Sequence, residues 1–305
     1  MKKIVMTSLV AVFAASAANA GVGVLDANYR VGANQFSAGV NLELYKTGLA
    51  RDKDEVQTYS SFGGGSFVNW SAEPIAYGIT KELAVSLKPA NGALGAGVDY
   101  RVYNSNAIAV DVLVDGALSL TKFIDKYNET KFPVGQNSVS GGLKLSGALD
   151  KLAYKVQGAY KYNFEQDITV FDDNYTLAAS NVISLSAQVQ YQVVDKWAVA
   201  LFGGYDITSY PGENKVELTA VNAITGILSG FVFIKDAGSA KDVKFNTGYI
   251  ALGGIYTLSD NAQIMPYVLY QLNTDIYVDG KKEYLGNKKD SDASITLGAK
   301  FGIQF

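Results

Sequence analysis

Residues 183–193 read ISLSAQVQYQV, and their side chains fall into two sets without exception. Ile183, Leu185, Ala187, Val189, Tyr191 and Val193 alternate with Ser184, Ser186, Gln188, Gln190 and Gln192. Successive side chains of a strand point to opposite faces, so the run predicts a strand with one apolar and one wet side; a helix would mix the two sets on every face. The run lies within 174–194, an uncharged stretch whose Asn, Ser and Gln residues rule out a membrane-spanning helix.

The same period recurs from about residue 34 onward. Ile108, Val110, Val112 and Val114 oppose Ala109, Asp111, Leu113 and Asp115, while Tyr154, Val156, Tyr160, Tyr162 and Phe164 oppose Lys155, Gln157, Lys161 and Asn163. Very short links at 80–82, 104–106, 150–151, 194–196 and 259–261 alternate with polar linkers at 47–64, 121–135, 166–179, 209–241 and 275–291, with a smaller break at KPANG, 88–92. Strands are expected near 34–46, 65–79, 83–88, 93–103, 107–120, 136–148, 152–165, 180–193, 197–208, 242–258, 262–274 and 292–305. Short turns at one end and long loops at the other describe an all-β fold, a closed antiparallel transmembrane β-barrel of about twelve strands, with ten or fourteen left open. Residues 22–31, VGVLDANYRV, do not fit the parity and read as an extra strand, a segment tucked into the lumen, or a misplaced boundary nearby.

The N-terminus carries Lys2 and Lys3, then IVMTSLVAVFAA at 4–15 and Ala18-Asn19-Ala20. Twelve apolar residues fall short of a spanning helix, so 1–20 reads as a secretory signal peptide and 21–305 as the barrel. Removing the two lysines of that peptide takes the formal net charge from −3 to −5, which argues against a nucleic-acid partner. There is no cysteine and no histidine. The first excludes disulfides and thiolate metal sites, and the second removes the usual general base and the commonest metal ligand, so no enzyme, cofactor or metal is expected.

Two features separate a membrane barrel from a soluble β-sandwich, whose strands also alternate. Aromatic residues gather near the strand ends, among them Tyr77, Tyr154, Tyr191, Trp197, Tyr205 and Tyr270, as interfacial girdles would require. The second is the run ITLGAKFGIQF at 295–305, with Thr296, Gly298, Phe301 and Ile303 in a polar-x-Gly-x-x-aromatic-x-apolar spacing before Phe305. That run resembles the assembly signal of Gram-negative outer-membrane β-barrel proteins, and the remainder is similar to porin-like and opacity-like surface barrels in general pattern. The resemblance implies recognition by the barrel-assembly machinery, contact with outer-membrane lipid and lipopolysaccharide, and periplasmic termini.

Charges within strands should point inward, because a lipid-facing charge is costly. The expected lumen set is Glu43, Asp99, Arg101, Asp111, Asp115, Lys144, Lys155, Lys161 and Lys300. A three-residue turn at Asn104-Ser105-Asn106 would set Asp99 opposite Asp111 with Arg101 between them. Such a group reads either as a charged constriction that selects solutes or as an ion cluster that pins the strands, with the second favoured because the signs balance. Residues 218–234, LTAVNAITGILSGFVFI, lack charge within a linker, and read as a lumen plug, a projecting hairpin or a contact surface. The leading expectation is a porin-like channel for small polar solutes; the alternative is a non-conducting surface barrel that binds through its loops. Oligomeric state is left open.

Overall fold

The computed structural model describes residues 24–52, 55–62, 69–90, 93–105, 107–120, 136–170, 173–177, 179–210, 233–234, 243–272, 275–278, 280–283 and 293–305. The signal-peptide reading of 1–20 and most of 209–241 fall outside these residues. Twelve barrel strands are present among them: β1 (Phe36–Asp52), β2 in two pieces (Asn69–Ala72 and Ile75–Gly78), β3 (Leu83–Ala90), β4 (Ala93–Asn104), β5 (Ala109–Ser119), β6 (Ser138–Leu149), β7 (Leu152–Asn163), β8 (Ser180–Val194), β9 (Trp197–Tyr210), β10 (Val243–Ser259), β11 (Ala262–Gln271) and β12 (Ala293–Gln304). Each pairs antiparallel with its neighbours in sequence, and β12 pairs with β1, so the ladder closes without an edge.

Closure follows from the run that ends the chain. Ser37 lies opposite Gln304, and the register holds to Glu43 opposite Gly298, where Leu44 forms a bulge. Phe36 N–H donates to the Phe305 carbonyl at 2.6 Å and Phe305 N–H returns to the Phe36 carbonyl at 2.9 Å. The Phe305 ring stacks on Phe36 at 5.6 Å, and Phe36 packs on Tyr77 at 4.5 Å, which joins β12, β1 and β2 in one aromatic row.

The alternation sorts outside from inside. On the four adjacent strands β9, β10, β11 and β12, Leu201, Leu252, Val268 and Leu297 stand directly opposite one another in register and are 41–57% exposed. Val98, Val114, Leu143, Val156 and Leu185 continue this apolar face around β4 to β8. An apolar surface of that extent belongs in lipid, where every backbone group of a closed ladder is already satisfied. Tyr103, Tyr191 and Trp197 lie on the outer face at the short-turn end, with Tyr160, Tyr205 and Tyr270 toward the other, as girdles do.

Three expectations need correction. KPANG is not a break: β3 runs through Lys88 and Pro89 to Ala90, which pairs with Ala93 in a tight hairpin. The stretch 65–79 is not continuous, because Glu73 and Pro74 interrupt it; a proline has no N–H for the ladder. The linkers are not bare loops either. Glu55–Phe62 folds back on the extension of β1, and Gln166–Val170 pairs with Asp173–Leu177, to which Phe233–Ile234 adds a third strand. The parity problem at 22–31 resolves for its described part, since residues 24–33 lie inside the barrel.

Candidate functional site in the lumen

The lumen wall has two contrasting sides. On β9, β10 and β11 the inward residues Ala198, Ala200, Phe202, Ala251, Ile255 and Met265 form a buried apolar cluster, against which Leu25 packs. Polar groups of the same wall hold the segment's backbone. Leu25 N–H donates to Gln263 Oε1 at 2.8 Å, Ala27 N–H to Gln190 Oε1 at 2.6 Å, and Gln188 Nε2 to the Leu25 carbonyl at 3.1 Å. Gly302 leaves the room required, because a Cβ there would collide with Val24.

The opposite side, β4 to β6, is charged. Asp111 is completely buried and accepts from Arg101 Nε at 2.7 Å and Nη2 at 3.2 Å, while Lys144 Nζ lies 2.8 Å and Arg30 Nη1 3.3 Å away. Asp99 accepts from Lys144 at 2.7 Å and is ion-paired to Arg30. Arg30 also donates to the Glu82 carbonyl at 2.6 Å and the Asp99 carbonyl at 3.0 Å. The cluster therefore ties the N-terminal segment to three strands. With hydrogen bonds at one end and the charge cluster at the other, residues 24–31 lie across the lumen at the short-turn end.

The expected pairing of Asp99 with Asp111 is not formed. Arg101 stands opposite Asp111 and Asp99 opposite Leu113, with Tyr103 opposite Val110 beyond a bulge at Val102. The cause is a longer turn, in which Ser105 N–H donates to the Ile108 carbonyl at 2.8 Å and Ile108 N–H to Ser105 Oγ at 3.1 Å. The shift converts a stack of like charges into a bidentate arginine-carboxylate pair, the stronger geometry.

The remaining expected residues all lie on inward faces but not in one group. Asp115 pairs with Lys88 and accepts from Ser140 Oγ at 3.3 Å. Lys300 Nζ sits 3.7 Å from Glu73 and 5.4 Å from the centre of the Phe202 ring. Glu43 faces the lumen at the bulge of β1, apart from the cluster, and Lys161 is exposed toward the long-linker end of β7. Lys155, on β7, makes no ion pair or hydrogen bond with the described residues. A cavity of about 330 Å³ lies between the segment and the walls, and Arg30, Glu73, Asp99, Lys144, Lys155 and Lys300 all line it.

Three site residues were missed in the sequence. Arg30 lies in a stretch with no strand period, although a lone arginine in an apolar run signals a buried partner. Glu73 and Lys88 sit beside Pro74 and Pro89, where the alternation is interrupted.

No protein-family model matches the chain, and no curated protein is similar to it in sequence. Among solved structures it is similar to a COG4313 outer-membrane channel from Pseudomonas putida F1, at 11% identity over 94% of this chain and 100% of that one, with a TM-score of 0.48. The NanC porin matches at 13% identity over 88% and 98%, TM-score 0.39, and the CymD monoaromatic hydrocarbon channel at 9% over 90% and 89%, TM-score 0.35. The closed antiparallel barrel is established by the chain's own strand ladder.

Proposed function

We propose that the protein is an outer-membrane channel for passive diffusion of small polar solutes. The observation that carries this reading is the interior cavity lined by Lys144, Lys155, Lys300, Glu73 and Asp99, inside a barrel whose outer face is apolar. Charged groups around an interior space hold water and lower the cost of moving a polar solute through a low-dielectric layer. A barrel built only for stability would fill that space with side chains, as narrow barrels do. The export signal read at 1–20 and the assembly-type run at 295–305 support the outer membrane as its location.

Planar-bilayer recordings of the purified protein test the proposal. Stepwise conductance above the lipid baseline is expected, and its absence would refute the channel. One observation favours the alternative of a non-conducting surface barrel, namely the segment 24–31 lying across the lumen. On that alternative, removing the segment would produce conductance where the intact chain has none.

A further inference from the structure

Lys155 lines the cavity and makes no ion pair or hydrogen bond with the described residues. It projects inward from β7, with Ser146 on β6 and Gln188 on β8 directly opposite it in register, neither of them charged. Lys144 on β6 and Lys300 on β12 are the nearest cations and Glu73 is the carboxylate within electrostatic reach. β12 lies five places from β7 around the barrel, so Lys155 and Lys300 reach the same cavity from opposing walls.

The cations of the cavity crowd together. Arg30, Arg101 and Lys144 share Asp99 and Asp111, while Lys300 sits beside Glu73 and Lys155 makes no ion pair among the described residues. Lys88 and Asp115 pair with each other. Asp26 also lines the cavity and accepts from Gln190 and Gln263. Ammonium groups that face one cavity repel one another, and an anion between them lowers that cost.

We propose that Lys155, with Lys144 and Lys300, forms an anion-binding subsite in the lumen that takes a small solute bearing a carboxylate or phosphate group. This deepens the channel reading by naming a solute class. The three lysines face the lumen and not the apolar outer wall, so lipid headgroups around the barrel are not the ligand that fits them.

The test is calorimetric titration of the detergent-solubilised protein with inorganic phosphate and, separately, with acetate. Saturable binding of one or both is expected, and the stronger of the two identifies the preferred group. Lys155→Gln should weaken binding about tenfold or more, the loss of one charge-assisted contact of roughly 1.4 kcal/mol. Lys155→Arg should retain it, and Lys161→Gln should leave it unchanged. Should Lys155→Gln fail to assemble, as judged by heat-modifiable migration, Lys300→Gln is read in the same way. No saturable binding of either anion, or binding indifferent to both substitutions, overturns the subsite. Conductance without anion binding would remove the subsite and keep the channel; anion binding without conductance would do the reverse.

Discussion

Deleting residues 24–33 removes the segment that lies across the lumen, and barrel dimensions set the size of the effect. Twelve strands spaced about 4.8 Å apart and tilted about 40° give a circumference of about 75 Å and a backbone radius of about 12 Å. Inward side chains occupy about 5 Å of that, half the separation of stacked sheets, which leaves an open section of about 150 Å². A chain lying across an opening about 14 Å wide covers a band at least one strand spacing deep, about 4.8 by 14 Å or roughly 70 Å². The segment thus blocks about half of the section, and the deletion should raise single-channel conductance about twofold wherever the segment limits the current. Planar-bilayer recording of both proteins in the same potassium chloride solution measures this. Arg30→Met gives a second route, because Arg30 is the segment's only link to Asp99 and Asp111 among the described residues, and it should increase open-channel noise in the same direction. Equal conductance of the deleted and intact proteins would refute the placement of the segment in the conducting path.

The other predictions concern the fold more than the passage. Asp111→Asn removes the buried carboxylate shared by Arg101, Lys144 and Arg30, and should cost about 3–5 kcal/mol, seen as a lower temperature for loss of the folded band in heat-modifiable migration. Phe305→Ala abolishes the stack on Phe36 and should slow refolding into lipid vesicles, with a loss of about 1–3 kcal/mol in urea titration; a wild-type rate and midpoint would count against its part in closure. Gly298→Ala would drive a Cβ into the Tyr267 ring and to 2.7 Å from the Leu42 carbonyl, displacing the Tyr267 hydroxyl from Asn41, where it now donates at 2.9 Å. A cost of about 1–3 kcal/mol is expected in the same titration. Lys300→Gln should shift the reversal potential in a salt gradient toward cations while leaving migration unchanged.

The strand ladder was legible because a two-residue period survives wherever one face meets lipid and the other water. All twelve strands appear within a few residues of their expected places except around Pro74 and Pro89, where a missing N–H interrupts the signal that the period carries. Inward placement of the charged residues followed from the same period. Register did not, since a longer turn before Ala109 and one bulge at Val102 together set Arg101 in place of Asp99 opposite Asp111, and neither leaves much mark in composition. Least legible was everything that crosses the lumen. Alternation tells which face a residue occupies, not which residue it meets on the far wall, so neither the approach of Lys300 to Lys155 nor the hold of Asp99 on Arg30 had a signal along the chain.

The lumen charges divide by what their removal leaves behind. Taking away Asp111 leaves Arg101 without its bidentate carboxylate and Arg30 and Lys144 to share Asp99 alone, so its role must register in stability. Taking away Lys155 breaks no ion pair or hydrogen bond among the described residues and removes one of three neighbouring ammonium groups. A residue whose loss relieves the electrostatics of a folded wall is not retained there by stability, and the remaining constraint on it is what enters the cavity. The favoured sequence reading, an ion cluster that pins strands, thus describes Asp99, Arg101, Asp111 and Lys144, whereas the competing reading, a charged constriction, describes Lys155 and Lys300. Both occupy one lumen, where β4 to β6 anchor the N-terminal segment and the cavity beside that anchor is the route a solute takes in the proposed channel.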